Sequence, residues 1–70
     1  MNELMRSAMR FIIDKDIKID DSIFIKLYNV SHKYKEKNLY KLSVKTSQHT
    51  YEYLLKYYKK EKKFIDYFDL

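Results

Sequence analysis

The stretch YEYLLKYYKKEKKF, residues 51–64, decides how the whole chain is read. At about 100° per residue, Tyr51, Leu54, Leu55 and Tyr58 share one face, which Ile65 and Phe68 continue. Lys56, Lys59 and Lys63 gather roughly opposite, where water solvates them. This reading predicts a main helix over residues 47–68, capped by Thr46 or Ser47. Glu61 and Lys62 interrupt its apolar face midway. Between the two stripes lies an edge of Tyr53, Tyr57, Lys60 and Phe64, which neither core packing nor solvation readily explains. That edge is the leading candidate binding stripe. Replacing Tyr53 and Tyr57 with Ala is expected to weaken binding and spare the fold.

Working outward, residues 39–46 (LYKLSVKT) alternate Tyr40, Leu42 and Val44 with Lys41, Ser43 and Lys45. That period of two predicts a half-buried strand. A strand needs a partner, and SIFIKLYNVS (22–31) is the nearest, across a loop that can turn at Asn38. Ile, Phe, Tyr and Val there favour sheet over helix. The alternative is a helix over 21–35, with acids at its start and His32, Lys33 and Lys35 at its end, an order that suits the helix dipole. Residues 2–14 predict an amphipathic helix, with Leu4, Met5, Ala8, Met9, Ile12 and Ile13 on one face and Arg6 and Arg10 on the other. The expected fold is α+β, one small domain over residues 1–70, in the order helix, two or three antiparallel strands, helix. One sheet face would be covered by helix. The alternative is a mostly α chain of three helices with one short strand.

The composition bounds the function. There is no Cys, Gly or Pro in the 70 residues, so disulfides, thiolate zinc sites and glycine-rich phosphate loops are excluded. A domain this small has a thin stability margin, and self-association is the support to look for first. No apolar run approaches the roughly 20 residues of a membrane span, and the N-terminus lacks the apolar region of a signal peptide. A soluble, cytoplasmic protein without membrane contact is expected. Abundant Lys, Ile, Tyr, Phe and Asn fit A/T-rich coding, which inflates Lys and Tyr without functional cause. The net charge is +5, unevenly placed. Residues 1–30 carry five bases and five acids, whereas residues 31–70 carry ten lysines and five acids. Codon bias does not explain that asymmetry, which marks a face for a polyanion.

Catalytic constellations are weak. Ser31 and His32 are only chain neighbours, and a triad is a spatial arrangement. The Asp14, Asp16, Asp20 and Asp21 cluster lacks the Gly and the late Glu of a Ca²⁺ loop and reads as turn-forming and capping residues. No enzyme activity, metal or cofactor is expected. Helix, strands, helix is the order of double-stranded-RNA-binding domains, but their lysine-rich signature has no counterpart in KTSQHTYEYLL. The acidic helix of LAGLIDADG endonucleases is also missing, so neither family is assigned. The expectation is a small basic binding or regulatory protein that contacts nucleic acid with low sequence preference. The residues are Tyr53, Tyr57, Lys60 and Phe64, with Lys56, Lys59, Lys63, Lys33, Lys35 and Lys41. The alternatives are a protein-binding inhibitor or accessory factor of a phage or mobile element, covering an acidic or nucleic-acid-binding protein, and a structural subunit of a ribonucleoprotein or viral assembly. A homo-oligomer is compatible with all three.

Overall fold

The computed structural model describes residues 2–70. Helix α1 (Glu3–Asp14) leads through a loop to strand β1 (Phe24–Asn29). A one-turn helix, α2 (Ser31–Tyr34), precedes β2 (Leu39–Lys45), β3 (Thr50–Tyr58), β4 (Lys63–Asp66) and a closing 3₁₀ turn, η1 (Tyr67–Asp69). The strands form one antiparallel sheet in the order β1-β2-β3-β4. The fold is α+β, with four strands. Residues 22–31 supply the strand that pairs with β2, as the favoured sequence reading expects, and Asn38 turns the chain with φ 57°.

The C-terminal helix predicted over 47–68 is instead the β3–β4 hairpin. Tyr51, Tyr53, Leu55 and Tyr57 alternate with Glu52, Leu54 and Lys56, a period of two hidden under the helical one. The doublets Leu54-Leu55 and Tyr57-Tyr58 satisfy both periods, so the helical stripe survives by coincidence. Tyr and Thr favour strands, and β2 presents a seven-residue edge for them to pair with. The Glu61-Lys62 interruption is the hairpin turn, where Lys62 takes φ 54°.

Register sorts the side chains. Tyr40 faces Leu55, Leu42 faces Tyr53, Val44 faces Tyr51, and Tyr57 faces Phe64. All lie on the face that α1 covers with Ala8, Phe11 and Ile12, and together they make the core. Helix α1 forms where predicted, but its buried face is centred one residue away. Phe11 is buried while Ile13 is 71% exposed. Asn2 caps the helix by accepting from the Met5 amide at 2.7 Å. At its end Asp16 (φ 56°) takes the left-handed position usually given to glycine, and Ile17 donates back to the Ile12 carbonyl. The far end of α1 is tied to the last hairpin. The Ser7 hydroxyl donates to the Lys62 carbonyl, and the Tyr57 hydroxyl donates to Glu3 at 2.9 Å.

Candidate functional site on the open sheet face

Among the described residues, no helix of the length of α1 covers the second face of the sheet. Phe24, Lys26 and Tyr28 of β1 point there, because Ile25 and Leu27 face the core. Opposite them stand Lys45, Ser43 and Lys41 of β2. Rings and ammonium groups therefore alternate both along β1 and across to β2. The Lys26 ammonium sits 5.2 Å from the centre of the Tyr28 ring, within cation–π range. Glu52, Leu54, Lys56 and Tyr58 continue the face on β3. Lys63 ends it on β4, where it also borders α1.

The α2 segment folds over one end of this face. Ser31 and Leu39 exchange hydrogen bonds, the Leu39 amide donating to the Ser31 hydroxyl at 3.0 Å. This buries Leu39 and Val30 in a small cluster apart from the main core. Lys35 closes the helix in the left-handed conformation, φ 53°. Tyr34, 51% exposed, is left standing beside the strands with the Lys33 ammonium 5.8 Å from its ring centre. Tyr34 divides two shallow depressions. One of about 260 Å³ lies between Tyr28, Lys33, Tyr34, Lys41 and Leu54. The other, of about 220 Å³, runs from Tyr34, Lys41 and Leu54 to Phe68 of η1.

Charge is distributed lengthwise. The loop carrying Lys33, Lys35 and Lys37 and the hairpin turn carrying Lys59, Lys60 and Lys62 lie at the same end of the sheet, because the Tyr57 amide bonds the Asn38 carbonyl. The opposite end holds Asp20, whose carboxylate accepts from the Ser47 hydroxyl and amide. Those bonds, the hydroxyl first, hold the Asp20 pKa below its ordinary value. At the basic end Glu36 accepts from Lys56 at 2.6 Å and from the Tyr67 hydroxyl, and Lys56 holds its pKa low. Lys41 pairs more loosely with Glu52 at 3.6 Å.

The residues singled out from the sequence are divided by this architecture. Tyr57 and Phe64 are 4% and 2% exposed and pack against each other in the core with their rings tilted 48° apart. Tyr53 packs edge-on against Phe11 at 5.1 Å. These rings belong to the covered face, which corrects the predicted Tyr53–Tyr57–Lys60–Phe64 edge; strand alternation, not a helical flank, sets where they point. Lys60 and Lys59 are exposed in the hairpin turn, and Lys33 and Lys35 in the α2 segment. Lys41 and Lys56 are half-buried on the open face, each in an ion pair. The sequence reading missed Phe24, Lys26, Tyr28 and Tyr34. The first three are legible from the alternation in FIKLYN read as a strand. Arg6 and Arg10, on the polar face of α1, line a groove of about 410 Å³ with Lys62 and Lys63. Glu3, Asp14 and Glu61 share that groove, so its charge is mixed. Among the described residues, no group of three or more His, Asp or Glu side chains is placed to hold a metal ion, and no helix is long and apolar enough to cross a membrane.

No family model matches this chain, and no curated protein or solved structure is significantly similar to it.

Proposed function

We propose that this chain is a non-enzymatic binding protein that holds single-stranded nucleic acid across the open face of its sheet, with little sequence preference. The observation that carries the reading is the alternation of exposed rings and lysines over β1, β2 and α2: Phe24, Tyr28 and Tyr34 among Lys26, Lys33, Lys41 and Lys45. Exposed rings on a flat surface meet unpaired bases, whose π faces are open; in a duplex those faces are stacked away. Lysines between the rings lie where the phosphates of a strand laid on such a platform would run. Base-edge discrimination leans on the planar fork of arginine. Both arginines are on α1, on the other side of the sheet, which supports low specificity. The lysine-bearing loops at one end of the sheet extend the positive surface past the strands.

The test is fluorescence anisotropy with labelled oligothymidine, oligouridine and a duplex, at two salt concentrations. Single strands should bind at low salt, with affinity falling at a slope near −0.7 per phosphate contact. Tyr28→Ala and Tyr34→Ala should each cost about 1–3 kcal/mol of binding. Absence of binding at low salt would sink the proposal. Binding that ignores both substitutions would move the site to another surface, the α1–hairpin groove first.

A further inference from the structure

We infer that two copies of this chain pair antiparallel through their β1 edges, making one continuous eight-stranded sheet whose open faces join. Ladder geometry identifies the free backbone groups. The Val30 amide donates to the Leu39 carbonyl at 2.9 Å, and hydrogen-bonded pairs recur every second residue along an antiparallel ladder. Phe24, Lys26 and Tyr28 therefore spend their backbone groups on β2. Ile25, Leu27 and Asn29 turn theirs outward, and β1 is the end strand of the sheet. Natural edges are blunted by Pro, bulges or several charges. This one carries a single lysine, and Phe24 and Tyr28 on it are 64% and 38% exposed.

The register follows from charge and face. A two-fold axis perpendicular to the sheet keeps open face with open face, so each residue must meet one of its own parity. An axis at Lys26 sets Lys26 directly against the partner's Lys26, which is repulsive. An axis at Leu27 removes that clash. It sets the backbone of Leu27 against that of its symmetry mate, and Ile25 against the partner's Asn29. Lys26 then lies opposite the partner's Tyr28, repeating across the interface the cation–ring contact it makes within its own strand. The ends agree as well. Asp20 and Asp21 precede β1, and Lys33 and Lys35 follow it. Antiparallel pairing brings the acidic end of each strand alongside the basic end of the other. The partner copy thereby adds its own Tyr28 and Lys26 to the ring-and-lysine surface, so a bound strand would cross from one protomer to the next. That consequence rests on the proposed function; the pairing itself does not.

Protein alone tests it. Sedimentation equilibrium of the wild-type chain should give a concentration-dependent rise from 8.7 kDa toward twice that mass. A monomer at every concentration would overturn the inference. The chain has no cysteine, so the register can be read from engineered ones. Mixing K26C with Y28C under mild oxidation should give a disulfide-linked pair faster than either variant alone, and faster than K60C, a control in the hairpin turn. Cross-linking of K26C alone at the fastest rate would mean an axis at Lys26 and would overturn the assignment. Rates equal to the K60C control in all mixtures would overturn the edge pairing. Because no nucleic acid is present, either outcome leaves the binding proposal to be judged by its own experiment.

Discussion

The two faces of the sheet use the same alphabet to opposite ends. On the covered face, the Tyr57 and Phe64 rings meet at 4.8 Å, tilted to each other, under α1, and the Tyr57 hydroxyl is answered by Glu3. On the open face, Tyr28 and Tyr34 have lysine ammonium groups as neighbours and solvent beyond. Residue type does not separate them. What separates them is whether an apolar layer arrives to take the ring out of water, worth about 25 cal/mol for each Å² of apolar surface removed. A tyrosine that no layer covers keeps its face available, and the surrounding lysines select an anionic visitor.

The largest test of this contrast is truncation. Tyr57→Ala and Phe64→Ala should each lower stability by about 3–5 kcal/mol, as large-to-small changes in a packed core do. Phe24→Ala and Tyr28→Ala should stay within about 0.5 kcal/mol. Urea unfolding of the four variants checks this, and a reversed ranking would exchange the roles of the faces. Titration gives the next contrast. Burial, with the Glu3 carboxylate adding to it, raises the Tyr57 pKa above 10.0. The neutral phenol is the form the fold favours, so its contribution is whole below pH 10.0 and is lost as pH climbs through the higher folded value. Thermal melts at rising alkaline pH should show that loss, and Tyr57→Phe should remove its share. On the open face the equivalent test is salt. Lys26→Gln with Lys41→Gln should reduce the salt slope of strand binding by about 0.7 for each phosphate contact removed, while leaving the melting temperature nearly unchanged. The smallest effect is acidic. Asp20 and Glu36 have lowered pKa values, so their contributions are present above the ordinary 3.8 and 4.5 and fade as pH falls through the lower folded values. Ser47→Ala should reduce the first, leaving the backbone amides of Ser47 and Ser22 in place, and Lys56→Gln should reduce the second, leaving the Tyr67 hydroxyl; each appears as a slight flattening of stability against pH, because both carboxylates are solvent-screened.

Much of the fold is legible residue by residue. The LYKLSVKT alternation identifies β2, and the polar interval after SIFIKLYNVS gives its hairpin with β1. The amphipathic pattern of residues 2–14 gives α1. The C-terminal hairpin is not legible by periodicity because its apolar doublets fit both repeats. Its length favours helix, since a nine-residue strand is longer than most. No glycine marks the turn, which Lys62 makes at positive φ. From that one misreading the candidate site follows. A helical wheel puts Tyr53, Tyr57 and Phe64 on an exposed flank, and a pleated strand puts them inside. Lysine placement fared better because a long charged side chain stays near water in either structure. Lys33, Lys35, Lys59 and Lys60 are exposed, but only the fold reveals that their two loops sit at one end.

The tie between α1 and the last hairpin has a consequence in time. Every strand pairs with its neighbour in the chain, so each ladder closes a short loop at modest entropic cost. Helix α1 alone must wait, because Ser7 and Lys62 are separated by 55 positions and Glu3 and Tyr57 by 54. Helix α1, the farthest along the chain from its partners, is thus the last of these elements to find its seat, and until then the inner sheet face and the apolar stripe of α1 both meet water. Folding rates of core variants would record that order: truncating Ile12 should speed unfolding and leave folding nearly unchanged, while truncating Leu42, in the early meander, should slow folding.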